Sequence, residues 1–206
     1  MVAARPDTVD DMTTTTRTNS RPTLAALGGA PTGSWVIDPM HSSVTFAVRH
    51  LMSRVRGRFT DLEGRIEVGY AVDGCAVQAS AETASVDTGV GMRDDDLRSE
   101  RFFAADAHPR VSFTSTSVAG ADGRLTVVGE LTIRGVTREV SLDTEFLGLD
   151  ETGLQGEPRI GFSGRTRVRR SDFGVGVATD GGKVVIGDLV DVELDLEAAF
   201  EDGTPA

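Results

Sequence analysis

Apolar and polar residues alternate along most of the chain from residue 34 onward. In residues 42–50, Val44, Phe46 and Val48 fall on one side of an extended chain, and Thr45 and Arg49 fall on the other. A period of two is typical of a β-strand with one buried face. The same alternation recurs in residues 65–70, 111–118, 124–133, 138–146, 159–170 and 190–200.

These segments predict seven or eight strands in a meandering antiparallel sheet, because Gly- and Asp-rich turns join them. The apolar face of such a sheet is covered either by a second sheet or by closure into a barrel. Residues 184–200 would extend about 56 Å as one straight strand, at ~3.3 Å per residue. That length is too great for a small barrel, so we expect a bulge or bend at Gly187.

One segment loses the two-residue period. Residues 91–110 are rich in charge, and they predict a short helix near residues 92–103 that begins close to Met92, with aspartates in its first turn. Pro109 favours an extended conformation for His108 and the start of the next strand. A short helix between barrel strands suits a plug or lid at one open end.

The chain is predicted to comprise an arm, one domain and a short tail. Residues 1–33 show neither strand nor helix periodicity, so we expect a disordered N-terminal arm. The β-domain is predicted over 34–202, with 203–206 as a tail. The arm's one apolar patch, residues 24–30, is too short and glycine-rich for a signal peptide, which favours a cytoplasmic location.

Composition narrows the function classes. The net charge is −11, from 21 basic and 32 acidic residues, and it would repel nucleic acid and anionic lipid headgroups alike. No stretch of about eighteen apolar residues predicts a membrane-spanning helix. With Cys75 as the one cysteine, an intramolecular disulfide is excluded.

The three histidines, His41, His50 and His108, lack the spacing of a metal site, so no metal is expected. His41 follows Asp38-Pro39, where the Asp38 side chain can cap a turn. His50 falls on the apolar side of its strand near the strand end, in a structural or a ligand-contacting role. A hydrolase or isomerase that pairs His50 with Asp87 or Asp94 is a weaker alternative, since the spacing does not require it.

The inward face of the sheet is built from Val, Leu, Ile and Phe, including Phe46, Ile133 and Phe162 by strand parity. An eight-stranded barrel can fill its interior with such side chains or hold one apolar ligand. Alternation along the sequence does not separate a hollow barrel from a closed structural or interaction barrel.

Several blocks together resemble a known family. They are WVIDPMHSSVTFAVRH with the following GRF, then SVDTGVGMRDDDLRSERFFAADAHPRVSFTS, GELTIRGVTREVSL and RSDFGV. In this order they resemble the YceI-like family of lipocalin-like, polyisoprenoid-binding proteins, over about residues 34–200. The resemblance implies an all-β, antiparallel eight-stranded barrel whose lumen binds, stores or transports a long-chain isoprenoid, a prenyl quinone or a fatty-acyl lipid. It implies no enzyme activity and no cofactor, and it allows a homodimer.

Candidate ligand-binding residues follow from parity and from the resemblance. Phe113 and Phe173 rest mainly on the resemblance, and Arg54 and Arg56 are basic residues near the strand containing His50 that could meet a charged headgroup. The full set is Phe46, Val48, His50, Phe113, Ile133, Phe162, Phe173, Arg54 and Arg56.

Overall fold

The fold is seen in a computed structural model that describes residues 23–153, 156–176, 179–180, 183–184 and 186–201. The segments in which apolar and polar residues alternate form β-strands. The strands in the first half are β1 (Thr23–Leu24), β2 (Ala30–Pro31), β3 (Gly33–Ile37), β4 (Ser43–His50), β5 (Ser53–Phe59), β6 (Leu62–Val68), β7 (Ala76–Glu82) and β8 (Val86–Asp87). Those in the second half are β9 (Arg110–Ala121), β10 (Arg124–Ile133), β11 (Val136–Asp150), β12 (Arg159–Arg169), β13 (Thr179–Asp180), β14 (Lys183–Val184) and β15 (Ile186–Phe200). The one α-helix of the described residues is α1 (Gly91–Arg98), and three- and four-residue 3-10 turns occupy Ala25–Leu27, Val72–Gly74, Thr83–Ser85 and Arg170–Phe173.

The strands close into an eight-stranded antiparallel barrel, as expected. The order runs β12-β11-β10-β9-β7-β6-β3-β15, and β12 then pairs with β15 to complete the ring. Short breaks divide the first strands, so that β4, β5 and β8 continue the wall beyond β3, β6 and β7. β15 joins both parts, because residues 198–200 pair with β3 and residues 186–195 pair with β4.

The predicted irregularity at Gly187 is confirmed. The register between β15 and β4 shifts between Ile186 and Val190, and this interval contains Gly187. The buried Arg170 holds the bulge, because its Nε donates to the Gly187 carbonyl at 2.8 Å and its Nη2 to the Ile186 carbonyl at 3.1 Å. The bend allows a fifteen-residue strand to follow a small barrel.

The helix is shorter than the predicted 92–103. It begins at Gly91 and ends at Arg98, and Ser99 is extended with ψ 167°. The Ser99 hydroxyl donates to the Asp96 carbonyl at 2.6 Å, which satisfies one of the last carbonyls of the helix. The turns that follow carry Phe102 and Phe103 into the interior, where burial of two aromatic rings outweighs continuation of the helix.

Part of the predicted disordered arm belongs to the fold, which corrects the boundary at residue 33. Leu24, Leu27 and Ala30 are buried in the main core, and the Trp35 indole donates to the Pro31 carbonyl at 3.2 Å. These three apolar residues are spaced by three in a segment too short to show a period, so their burial depends on the barrel end that they cover. Residues 1–22 and the tail at 203–206 lie outside the described residues.

The densest packing lies at the end of the barrel formed by β3, β6 and the C-terminal part of β15, which we call the closed end. Trp35, Ile37, Ile160 and Ala198 are almost wholly buried there. The Trp35 ring meets Phe200 edge-on, with 4.9 Å between ring centroids.

No helix among the described residues has the length and apolar character needed to cross a membrane.

Candidate functional site: an apolar lumen in two chambers

A cavity of about 750 Å³ opens at the end of the barrel opposite the closed end, and we call it the mouth chamber. Val90 and Met92 line it and are themselves exposed, so the cavity reaches the surface beside α1. Its walls come from β4, β5, β10, β12 and β15, with α1 and the turns after it on one side. Apolar side chains dominate the lining: Val44, Phe46, Val48, Val55, Phe59, Leu97, Phe102, Phe103, Val111, Leu131, Ile133, Val168, Phe173, Val175, Ile186, Val190 and Val192.

A smaller inner chamber of about 180 Å³ lies deeper in the barrel. The two chambers share five lining residues, which are Val44, Phe59, Val111, Leu131 and Val192, so they adjoin each other, and we call the two together the lumen. Leu27 forms part of the inner wall. The segment expected to be a disordered arm therefore contributes to the lumen, and no periodicity in the sequence signals it.

Phenylalanine rings cluster where the linings of the two chambers meet. Phe59 lines both, and its ring centroid lies 5.9 Å from that of Phe46 and 5.8 Å from that of Phe103. Gly57 makes room for this cluster, because a Cβ atom there would lie 2.4 Å from the Phe46 ring. The cluster gives the lumen an aromatic wall suited to a flexible hydrocarbon chain.

One polar atom in the inner chamber has no hydrogen-bond partner. Thr144 lines that chamber, and its Oγ1 is the buried side-chain polar atom of the described residues that remains unsatisfied. An unpaired buried hydroxyl costs roughly 1–3 kcal/mol. It is therefore available to a hydroxyl or carbonyl of a bound amphiphile.

Polar groups at the mouth are held by the protein itself. Thr88 donates its backbone N–H to the Asp94 carboxylate at 2.9 Å, and its hydroxyl accepts from Arg93 Nε at 2.7 Å. These bonds fix α1 against β8, with Arg93 at the lumen wall. Arg170 also lines the chamber, and its Nη1 donates to the Val175 carbonyl at 2.8 Å.

The structure brings seven of the nine predicted binding residues together around the lumen. Phe46, Val48, His50, Ile133 and Phe173 line the mouth chamber, whereas Phe113 and Phe162 line the inner chamber. Ligand contact by these seven residues stays a prediction.

Arg54 and Arg56 are not brought to the lumen. Cross-strand partners lie on the same face of a sheet. Arg54 pairs with Arg49, and Arg56 pairs with Ala47. These β4 residues alternate with Val48 and Phe46, which face the lumen, so both arginines face outward. Both arginines line a polar depression on the outer surface, where Arg54 forms an ion pair with Asp191 at 3.0 Å. Neither arginine therefore lines the lumen, as strand alternation in residues 53–59 indicates, and contact of either one with a charged headgroup stays a prediction.

The carboxylates considered as partners for His50 are engaged elsewhere. Asp87 accepts a hydrogen bond from the Gly89 N–H at 2.8 Å, and this bond, followed by the one from Arg58 at 3.3 Å, holds the pKa of its carboxyl below the ordinary value. Asp94 is buried and bound to Thr88. Neither carboxylate has a hydrogen bond to His50 in the described residues.

A charged cluster at the closed end contains Asp38, His41 and Glu197. These are residue types that can bind a metal ion, and their potential ligand atoms lie within 4.8 Å of one another. Arg159 already pairs with both carboxylates of this cluster, since its Nη1 lies 2.7 Å from Asp38 Oδ2 and also contacts Glu197. Hydrogen bonds from His41, and then from Arg159, hold the pKa of the Asp38 carboxyl well below its usual range. As expected, Asp38 also caps its turn, with the Met40 N–H at 2.9 Å.

Comparison with known proteins decides the family, because the model of the YceI-like domain matches residues 35–198. The chain belongs to the YceI-like family. It is similar to a UPF0312 protein of Vibrio cholerae, with 33% identity over 173 residues, which are 82% of this chain and 88% of the relative.

Two solved structures share the barrel of this YceI-like chain. A Campylobacter jejuni YCEI protein aligns with a TM-score of 0.66 and 29% identity, over 75% of this chain and 90% of the other. A polyisoprenoid binding domain from Saccharophagus degradans, implicated in plant cell wall breakdown, aligns with a TM-score of 0.63 and 18% identity, over 82% and 99%. At the second identity the likeness shows the fold alone.

Proposed function

We propose that this YceI-like protein binds a long-chain isoprenoid or a similar amphiphilic lipid in its lumen, and that it stores or carries the lipid without catalysis. The observation that carries the proposal is the apolar lumen, with adjoining chambers of about 750 and 180 Å³. Pockets that bury small-molecule ligands span ~300–1,000 Å³. The polyisoprenoid-binding domain of S. degradans, which has the same fold, supports this ligand class.

The energetics suit a long chain. Each buried CH₂-sized group contributes up to ~0.8 kcal/mol, so about twenty carbons supply ~16 kcal/mol before costs. Ordering of the lipid chain and loss of its translational and rotational freedom on binding offset much of this free energy. The expected affinity is therefore micromolar to nanomolar. A polar group on the ligand gains a partner if it reaches Thr144, because the Oγ1 of that residue is unsatisfied.

A chain-length series tests the proposal. Quinones with one head group and one, two, four or eight isoprene units are titrated into the purified protein, and retained quinone is measured after gel filtration. We expect affinity to rise at least ~10-fold from one unit to four, because added units bury apolar surface. Affinity that does not depend on chain length would contradict binding in the lumen.

A further inference from the structure

Exposed apolar side chains gather at the mouth of the lumen. Leu51 and Met52 form the tip of the hairpin between β4 and β5, and Val90 and Met92 lie at the start of α1. Met52 is 100% exposed and Met92 87% exposed. We call these four residues the mouth rim. Apolar side chains grouped on a surface mark a contact with another apolar phase or partner.

The hairpin tip is poorly explained by folding alone. His50 pairs with Ser53, so Leu51 and Met52 form a two-residue turn. Leu51 has φ 50°, a left-handed conformation that favours Gly or Asn over leucine in such turns. Met52, which is fully exposed, contributes no packing, and Leu51 strains the backbone while 44% of it stays exposed. Ala104, Asp122 and Arg134 also have a positive φ, but among the described residues Leu51 alone combines it with a large, exposed apolar side chain, which points to a role outside the fold.

The hairpin is also the basic part of an acidic protein. Residues 43–60 contain four arginines and no Asp or Glu, whereas the chain carries a net charge of −11. Arg54 and Arg58 form ion pairs with Asp191 and Asp87. Arg49 and Arg56 have no carboxylate partner among the described residues, and Arg49 Nε donates to the Leu51 carbonyl at 3.0 Å. Of these two unpaired cations, Arg49 lies beside the apolar tip and Arg56 lies farther along the same hairpin, opposite Ala47.

We infer that the mouth end docks on the surface of an anionic lipid bilayer. Leu51 and Met52 enter the boundary between headgroups and acyl chains, and Arg49 and Arg56 face the lipid phosphates. At the mouth, the exposed Asp95 and the partly exposed Asp96 of α1 are paired with Arg98 and Arg101. The remaining acidic surface is repelled from the bilayer, which turns the barrel so that its mouth faces the membrane. The inference rests on the proposed function, because an apolar cargo reaches the lumen from a bilayer without crossing water.

Vesicle flotation tests the docking directly. The full chain is mixed with vesicles of phosphatidylcholine alone, or of phosphatidylcholine with about a third phosphatidylglycerol. We expect the wild type to float with the anionic vesicles. The double variant Leu51→Asn/Met52→Ser should lower that affinity at least ~10-fold, yet keep or raise the thermal midpoint, because asparagine suits the left-handed turn.

Two further variants separate the contributions. Arg49→Gln/Arg56→Gln should weaken binding to anionic vesicles and leave binding to pure phosphatidylcholine unchanged. Met40→Ser/Tyr70→Ser removes two exposed apolar side chains away from the mouth, with 88% and 80% exposure, and should float like the wild type. Equal loss in this control, or normal flotation of the tip variant, would overturn the inference.

Binding of a prenyl quinone without vesicles is measured on the same proteins. Intact quinone binding with no flotation would overturn docking alone, whereas intact flotation with no quinone binding would overturn the proposed lipid cargo alone. A wild type that elutes as a dimer, with a monomeric tip variant and no flotation, would assign the rim to a second copy of the chain and also overturn the inference.

Discussion

The closed end and the mouth end of the barrel are built from alternating strands, yet the closed end is closely packed around the small inner chamber and the mouth end surrounds a large cavity. At the closed end Trp35, Ile37 and Ile160 pack against neighbouring side chains and are at most 1% exposed. At the mouth end the inward residues of β4, β10 and β15 surround a cavity of about 750 Å³ and are partly buried. Strand alternation therefore specifies which side chains point inward, and the size and spacing of the walls decide whether they touch.

The largest expected effect compares one substitution at the two ends. Ile160→Ala should lower the free energy of unfolding by about 3–4 kcal/mol, because it leaves a void in a packed region. Ile133→Ala removes the same atoms beside an existing cavity, so its cost should be about 1 kcal/mol. Urea unfolding measures both. Equal losses would show that the two ends are packed alike.

The charged cluster is the second difference between the ends. Asp38→Asn should cost about 2 kcal/mol at pH 7, because it weakens hydrogen bonds to His41 and Arg159 in a partly buried site. The folded-state pKa of Asp38 is depressed, so its contribution is complete above the unfolded value near ~3.9 and is lost as pH falls toward the folded value. Urea midpoints at pH 7 and pH 3 measure this change.

A matched surface pair provides the control for Asp38. Asp143 binds Arg165 at 2.7 Å with both side chains more than half exposed, so Asp143→Asn should cost under about 1 kcal/mol. The pH dependence of stability between pH 7 and pH 3 should be flatter in Asp38→Asn than in the wild type. The same pH dependence of stability in Asp38→Asn and in the wild type would contradict the stabilising role assigned to the Asp38 carboxylate.

The smallest effect concerns the inner chamber. Thr144→Val removes the unsatisfied hydroxyl at nearly constant volume and should stabilise the ligand-free protein by about 1 kcal/mol. It should also weaken binding of a prenyl alcohol or quinone more than binding of a hydrocarbon of equal length. Thermal unfolding and paired titrations measure the two effects. A destabilised variant would show that Thr144 has a partner.

Much of the barrel was predictable from the sequence, because alternation is a local property of each strand. Val44, Phe46 and Val48 point inward as parity predicts, and Gly187 lies within the predicted irregularity. Residues 23–33 were not predictable, since Leu27 is buried by a barrel end that forms from distant strands. The end of α1 was missed because burial of Phe102 and Phe103 is a tertiary effect.

The candidate site was predictable in part. Parity indicates that Phe46 and Ile133 face the interior, whereas the chain alone does not reveal whether that interior is empty. Arg54 and Arg56 were proposed to meet a headgroup because they are near His50 in sequence, but their own strand turns them to the outer face, away from the lumen that His50 lines. Nearness along an extended strand does not place two residues on the same side.

Native mass spectrometry with a four-unit prenyl quinone tests the hollow lumen most directly. The wild type should form a one-to-one complex. The double variant Val48→Phe/Ile133→Phe, which adds rings inside the mouth chamber, should bind at least ~10-fold more weakly while remaining folded. A wild type that takes up no quinone, or a filled variant that binds as well as the wild type, would contradict the account.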